Sequence, residues 1–146
     1  MQFTTSLAIA FSAAFGINQE QVQVRLPAPM PEVQTVEEYV QEYFADIPVM
    51  TAIAKCESQF RHFSKSGNVL QNSSGSSAIG VFQIMSSIHD PVAEKLGLDL
   101  NTLQGNVAYA RYLYGKQGTK PWEADKASVA CWGKTAVAKA HFAVNK

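Results

Sequence analysis

The stretch that decides the fold is Pro48-Val49-Met50-Thr51-Ala52-Ile53-Ala54-Lys55-Cys56-Glu57-Ser58. Proline suits the first turn of a helix, and apolar side chains recur after it at helical spacing, at positions 50, 53 and 54. The next position on this apolar stripe is Glu57, so a carboxylate lies where the helix should face the core. Burial disfavours the charged form of a carboxyl group and raises its pKa, which is the condition that a general acid near neutral pH requires.

Helical periodicity alone leaves a second interpretation of Glu57 open. The carboxylate could pair with Lys55 or Arg61 in a salt bridge, or it could lie in solvent at the end of the helix. One carboxylate on a helix is a weak signal for catalysis. The neighbouring motifs therefore decide between the two interpretations.

Two short blocks of the chain resemble the lytic transglycosylases of the soluble-lytic (SLT) type, within the lysozyme-like superfamily. The first is Glu57-Ser58-Gln59-Phe60, and the second, after a Ser-rich loop, is Gly80-Val81-Phe82-Gln83-Ile84-Met85. A third block, 105–113, looks like the family's later Asn-containing helix, with Ala110 in place of the usual Gly. The resemblance covers about residues 48–132 and implies a lysozyme-like, all-α domain that acts on peptidoglycan.

The resemblance also implies a reaction and a set of site residues. Glu57 would protonate the β-1,4 glycosidic oxygen between N-acetylmuramic acid and N-acetylglucosamine. It would then take a proton from the muramic 6-hydroxyl, whose attack on the anomeric carbon gives a 1,6-anhydro product. The residues expected to contact the glycan strand are Ser77, Gln83, Met85, Tyr109 and Trp132.

Several of these binding residues have an ordinary alternative role. Gln83 offers an amide donor and an acceptor that suit an N-acetyl or hydroxyl group, but it could equally be an exposed helical Gln. Tyr109 and Trp132 could stack on sugar rings, yet most aromatic residues at helical spacing belong to the core. The family's Ala-Tyr-Asn-Ala-Gly stretch is replaced by Ala130-Cys131-Trp132-Gly133, so the role of its Tyr does not transfer to this chain.

The two cysteines are Cys56, beside the proposed acid, and Cys131, in the block that departs from the family pattern. If that block folds back over the groove as in the family, the two thiols come close. The resemblance and the exported context then favour a disulfide. The alternatives are two buried free cysteines, or a nucleophile that pairs Cys56 with His62 or His89.

The chain divides into four parts. Residues 1–17 are an apolar leader, which is either an export segment or a loosely ordered N-terminus, because no Lys or Arg precedes the apolar run. Residues 18–34 form a Pro-rich linker, 35–133 the transglycosylase domain, and 134–146 a C-terminal tail that could form a marginal helix. Helices are predicted at 35–44, 48–58, 79–85, 90–96, 101–116 and 126–132, with a loop or weak hairpin at 64–77.

Charge bears on the partners of the chain. The 12 Lys and Arg residues balance the 12 Asp and Glu residues, which argues against a general nucleic-acid-binding protein. The balance hides a division, because residues 1–50 carry a net charge of −5 and residues 51–146 a net charge of +5. The basic part is therefore expected to face the peptidoglycan strands, which are anionic.

Other features limit cofactors and location. The longest nearly unbroken apolar stretch, 7–17, has 11 residues, whereas a membrane-spanning helix needs about 20. Two cysteines and three scattered histidines (His62, His89 and His141) do not form a metal-binding pattern. We therefore expect no metal or other cofactor and no transmembrane span. The resemblance implies a protein that works outside the cytoplasm, and we expect a monomer.

Two other functions stay open at the level of sequence: a muramidase that hydrolyses with water, and a non-catalytic peptidoglycan-binding protein that keeps the fold. A two-carboxylate glycosidase needs a second Asp or Glu about 5–9.5 Å from the first. The next carboxylates after Glu57 are Asp90 and Asp99, and each is placed to begin a helix. Because no second carboxylate lies within the motif, the sequence favours a mechanism with a single Glu. The absence of the family's Tyr favours a non-catalytic binding protein.

Overall fold

The computed structural model describes residues 34–144, so the predicted leader and residues 18–33 of the predicted linker lie outside the described residues. Within 34–144 the chain forms six α-helices, one two-stranded antiparallel sheet and a 3₁₀ turn. The elements in chain order are α1 (Val36–Tyr43), α2 (Pro48–Ser58), β1 (Ala78–Ile79), β2 (Ile84–Met85), α3 (Ser86–Lys95), α4 (Leu103–Gln117), the 3₁₀ turn (Lys120–Trp122), α5 (Lys126–Trp132) and α6 (Ala136–Val144).

Three helices begin where the local sequence predicts. Thr35 and Glu38 form a capping box at the start of α1, in which the Glu38 amide donates to the Thr35 hydroxyl and the Glu38 carboxylate accepts from the Thr35 amide. Pro48 is the first residue of α2. Asp125 accepts hydrogen bonds from two backbone amides of α5, which begins at Lys126. These starts are confirmed because a cap depends on only a few consecutive residues.

The predicted start of α3 is wrong. The helix begins at Ser86 rather than after Asp90, and Pro91 lies inside it. The hydroxyl of Ser77, which is the residue before β1, accepts a hydrogen bond from the amide of Ser87. A cap supplied from ten positions away cannot be read from local spacing, so the internal Asp-Pro pair was the stronger local signal.

The predicted helix over 79–85 is also wrong, because these residues complete a β-hairpin. Strands β1 and β2 pair antiparallel, and residues 80–83 form the turn between them. Gly80 and Gln83 have φ angles of 73° and 48°, which a right-handed helix does not accommodate. Isolated antiparallel bridges at 63–69 and 71–79 continue this pairing into the Ser-rich loop, where a weak hairpin was predicted.

The core forms around α2, which packs against α1, α5 and α6. Met50 and Ile53 of α2 are fully buried, as the apolar stripe predicts. The segment predicted as a tail contributes α6, whose Ala138 is fully buried, so this segment belongs to the folded body. An all-α fold with a small hairpin is thereby confirmed, while its assignment to the lysozyme-like superfamily stays a prediction.

None of the helices within residues 34–144 combines the length and the apolar character that crossing a membrane requires.

Candidate functional site

Glu57 lies in the last turn of α2 with its side chain partly buried against α5. Its Oε1 accepts a 2.5 Å hydrogen bond from the Oγ of Ser128, a residue that is only 5% exposed. Burial raises the pKa of Glu57 above its ordinary value; the Ser128 hydrogen bond opposes this, and the nearby negative charge of Asp125 adds to it. The predicted half-buried carboxyl group with a raised pKa is confirmed.

The salt bridge considered as the alternative for Glu57 is not formed. The ion pair found within residues 34–144 joins Arg111 to Asp46. Lys55 borders a groove of about 500 Å³ beside the disulfide, of which Glu57 is not a lining residue, and Arg61 donates to a backbone carbonyl at the end of α2. Because a neutral hydroxyl holds Glu57, its carboxyl group can gain or lose a proton without breaking an ion pair.

The disulfide Cys56–Cys131 joins α2 to α5 directly beside this hydrogen bond. Its Cα atoms are 5.9 Å apart and its cysteines are 75 positions apart in sequence. The predicted disulfide is confirmed, and the alternatives of free thiols and of a cysteine nucleophile are wrong, since both cysteines of the chain are in this bond. Cys56 precedes Glu57, and Cys131 lies about one helical turn after Ser128, so one covalent link holds both partners of the hydrogen bond.

The hairpin turn at 80–83 is held by side chains from several other elements. The Ser58 hydroxyl, at the end of α2, donates to the carbonyl of Val81 at 2.8 Å. The Nδ1 atom of His62 accepts from the amide of Val81 at 3.2 Å. The Nε1 of Trp122, in the 3₁₀ turn, donates to the carbonyl of Phe82 at 3.0 Å. These bonds fix the turn relative to the helix that carries Glu57.

Asn106 of α4 attaches the same turn to the core. Its Oδ1 accepts from the amide of Phe82 at 3.1 Å, and its Nδ2 donates to the carbonyls of Ile79 and Leu100 at 3.1 and 3.2 Å. The side chain is fully buried. A Cβ atom on Gly80 would lie 2.5 Å from the Asn106 Nδ2, so glycine is required at 80 by the close approach of α4.

His62 has a partner on each ring nitrogen and is 1% exposed. Because Nδ1 accepts from a backbone amide, the ring proton is on Nε2, which donates to the carbonyl of Asn101 at 2.9 Å. Burial lowers the pKa of His62, against the opposing effects of the Asn101 hydrogen bond and of the Asp99 charge. His62 is therefore a neutral structural residue that links the hairpin turn to the start of α4.

Gln83 and Met85 lie where the hairpin returns toward α3. Gln83 is half-buried at the last position of the turn, and its Nε2 donates to the carbonyl of Gly80 at 2.9 Å. The alternative of an exposed helical Gln is wrong, because Gln83 is half-buried and lies in a turn. Met85 is 41% exposed, so both residues border solvent. Ser77 has a structural contact, a 2.6 Å hydrogen bond with the hydroxyl of Ser87.

The predicted stacking roles of Tyr109 and Trp132 are wrong, because each side chain is 1% exposed. The Tyr109 hydroxyl hydrogen-bonds the Nδ1 of His89 at 3.0 Å. Trp132 packs against Phe142 of α6, with ring centroids 6.1 Å apart. Both belong to the core, which is the alternative that helical periodicity could not separate from a binding face.

The residue that contacts Glu57, and that the sequence motifs did not indicate, is Ser128. A signal for it was present, since residues three apart lie on the same face of a helix. A disulfide between Cys56 and Cys131 brings α5 against α2. Ser128, three positions before Cys131, then lies near Glu57, which follows Cys56. The disulfide and the helix at 126–132 therefore bring Ser128 near α2, and the packing of α5 on α2 decides that it meets Glu57.

The chain has no significant match among protein-family models, curated proteins or solved structures. Over residues 34–144, no group of three or more His, Cys, Asp or Glu side chains is placed to hold a metal ion. The chemistry available at the site is that of one carboxyl group with a raised pKa, a hydroxyl donor bound to it, and a turn fixed by buried hydrogen bonds. Such a site can transfer a proton to and from a bound oxygen.

Proposed function

We propose that the chain is a peptidoglycan lytic transglycosylase in which Glu57 is the catalytic acid and base. The observation that carries the proposal is the partly buried Glu57 carboxyl, which has a raised pKa and a neutral hydrogen-bond donor. A carboxyl group of this kind is more readily protonated near neutral pH and can act as a general acid. The resemblance of 57–60 and 80–85 to the soluble-lytic family supplies the substrate class.

The proposed reaction needs one carboxyl group in two protonation states. Glu57 donates its proton to the glycosidic oxygen as the bond from this oxygen to the muramic anomeric carbon breaks. The resulting carboxylate accepts the proton of the muramic 6-hydroxyl, whose oxygen bonds to the anomeric carbon. The 1,6-anhydro ring closes, N-acetylglucosamine leaves with a free hydroxyl, and Glu57 ends protonated.

Charge and the disulfide support the substrate and the location. Residues 51–146, which contain Glu57, carry a net charge of +5, and attraction to anionic peptidoglycan would weaken as salt is added. Disulfides persist mainly in oxidising compartments outside the cytoplasm, and Cys56–Cys131 is formed. We therefore include an extracytoplasmic, cell-wall-associated location in the proposal.

A hydrolytic muramidase is the second candidate, and Asp125 is the observation that favours it. Its charge is close enough to raise the pKa of Glu57, so a second carboxylate is present near the acid although it is remote in sequence. Its Oδ1 accepts from the amide of Ala127 at 2.8 Å, which gives it a capping role as well. In the hydrolytic reaction Asp125 would help a water molecule attack the sugar in place of the 6-hydroxyl.

The test is the release of muropeptides from purified peptidoglycan by wild type and by Glu57→Gln, analysed by liquid chromatography and mass spectrometry. We expect 1,6-anhydro products from wild type and a loss of about 10²–10⁴-fold in the variant, which is the usual contribution of a general acid. Glu94→Gln, at an exposed position of α3, is the matched control and should keep full activity.

Each of the other outcomes would lead to a different conclusion. Products with reducing ends would favour the muramidase. Binding to peptidoglycan without release by wild type would leave a binding protein. Unchanged release by Glu57→Gln would remove Glu57 from the reaction.

A further inference from the structure

We propose that Ser128 is the positioning residue of the catalytic acid: its hydroxyl, by donating to Oε1 of Glu57, reserves Oε2 as the oxygen that carries the transferred proton. The inference rests on the proposed function of Glu57 and adds to it the assignment of each carboxyl oxygen. Ser128 does not touch the substrate in this proposal and acts only through Glu57.

The assignment follows from the direction of the hydrogen bond. The Ser128 Oγ lies 2.5 Å from Oε1 and has a hydrogen to donate, whereas a carboxylate oxygen can only accept. In the protonated acid one oxygen carries the proton and the other is a carbonyl oxygen. Since Oε1 is already the acceptor for Ser128, the proton belongs on Oε2, and this oxygen delivers it and later takes it back.

The Ser128 hydroxyl also favours the charged state of Glu57 that forms when the proton leaves. A hydrogen bond from a neutral donor to a carboxylate is stronger than one to the neutral acid. Ser128 therefore lowers the pKa of Glu57, against the larger opposing effect of burial. In the transition state the carboxyl group is partly charged, so this hydrogen bond strengthens as the proton moves.

The position of Ser128 is fixed from two sides. Its backbone amide donates to the Oδ1 of Asp125 at 3.4 Å in the first turn of α5, and Cys131 ties the same helix to α2. With 5% of its surface exposed, the side chain has little room to leave Glu57. A side chain so constrained can hold the acid in one orientation without a covalent bond to it.

Asp125 and Ser128 act on Glu57 with opposite signs, and this gives a readout that a general structural disturbance would not produce. Asp125 raises the pKa of Glu57 by its charge, whereas Ser128 lowers it by its hydrogen bond. The charged side chains near Glu57 on its own segment, Lys55 and Arg61, are exposed. Removing the hydroxyl should therefore raise the pKa of Glu57, and removing the Asp125 charge should lower it.

The experiment compares Ser128→Thr with Ser128→Val, two variants of similar shape in which Val carries a methyl group where Thr carries a hydroxyl. A third variant, Asp125→Asn, removes the charge and keeps a helix-capping residue. The pKa of Glu57 is measured by carbon-13 NMR of the full chain with its disulfide intact, and the release of anhydro products is measured against pH. We expect Ser128→Val to raise the pKa of Glu57, to move the alkaline limb of the pH profile, where the acid loses its proton, to higher pH, and to lower kcat about tenfold with little change in KM.

Ser128→Thr should restore the pKa and most of kcat, and Asp125→Asn should move the pKa downward. Equal pKa values of Glu57 in the Thr and Val variants, or equal kcat values, would overturn the assignment of Ser128 while wild type remains an active transglycosylase. A wild type that releases no product would instead overturn the proposed function, and with it the catalytic meaning of Ser128. Thermal unfolding of all variants shows that each comparison is made between folded proteins.

Discussion

The two sides of the candidate site are held by different kinds of bond. On the acid side, α2 and α5 are joined by the disulfide Cys56–Cys131, with the hydrogen bond from Ser128 to Glu57 beside it. On the other side, the turn at 80–83 is held by hydrogen bonds from buried side chains of α2, α4 and the 3₁₀ turn. The acid therefore depends on the oxidation state of two cysteines, and the turn depends on polar groups that each have a buried partner.

This difference has an energetic consequence. A disulfide stabilises mainly by restricting the unfolded chain, and its effect is large when the closed loop is long. Buried hydrogen bonds contribute little net energy while they are intact, but loss of one partner leaves the other unsatisfied in the interior. We expect the disulfide to dominate global stability and the hydrogen bonds to determine the shape of the turn.

Removal of the disulfide is the largest expected effect. The double variant Cys56→Ala/Cys131→Ala should lose about 4 kcal/mol of unfolding free energy, because the link closes a loop across 75 positions. The corresponding fall in Tm is roughly 15–25 °C for a domain of this size, measured by circular dichroism. Wild type in reducing agent should unfold like the double variant. An unchanged Tm in both samples would contradict the assigned role of the disulfide.

Removal of the Asn106 side chain should come next. Asn106→Ala leaves the amide of Phe82 and two buried carbonyls without their partner, which costs about 2–4 kcal/mol. Asn101→Ala is the matched control, since this exposed side chain bonds to Asp99, two positions away, and its removal should cost less than about 0.5 kcal/mol. Urea unfolding of both variants makes the comparison, and equal losses would show that the turn does not need the buried amide.

Protonation of His62 should have a smaller effect, which appears in the pH dependence of the free energy of unfolding. Its pKa in the folded state lies below the ordinary value of 6.5 because burial disfavours the imidazolium. The unfolded chain therefore binds more protons, and stability is full above pH 6.5 and falls as the pH drops through 6.5 toward the folded pKa. Urea unfolding between pH 7 and 4 measures this loss.

His89 contributes to the same loss, because burial lowers its pKa as well. The difference between wild type and His62→Gln isolates the share of His62, since Gln does not titrate. If the two proteins lose stability in parallel over this range, protonation of His62 does not loosen the hairpin turn.

The smallest expected effect is a gain in stability on neutralising the acid. The folded-state pKa of Glu57 lies above the ordinary 4.5, so the unfolded chain ionises first and stability falls as the pH rises through the folded pKa. Glu57→Gln removes this loss and should raise Tm by about 2–4 °C at pH 8, with no gain at pH 4. A variant less stable than wild type at pH 8 would indicate that the carboxylate is well solvated.

The sequence predicted those parts of the fold that depend on neighbouring residues. The capping box at Thr35 and the cap at Asp125 are complete within one helical turn, and both helices begin as predicted. The placement of Glu57 also followed from local periodicity, because three apolar residues on one helix face determine which side of α2 is buried.

The predictions that were wrong concern residues whose role depends on distant partners. The apolar run at 79–85 is too short for periodicity to separate strand from helix, and the turn within it is held by Asn106 from α4. Tyr109 and Trp132 follow the same spacing whether they face a ligand or the core. Only the packing of α4 and α6 places them inside.

The sequence by itself therefore determined where α1, α2 and α5 begin, the helix face that carries Glu57, and through a family resemblance the disulfide that joins 56 to 131. The tertiary structure decided which group meets the acid, because Ser128 reaches Glu57 only after α5 has packed on α2. It also decided how the hairpin turn is held, because Ser58, His62 and Asn106 come together on it from separate parts of the chain. The physical reason is range: caps and helix faces are set over a few residues, whereas burial and hydrogen-bond partners are set by the packing of the whole domain.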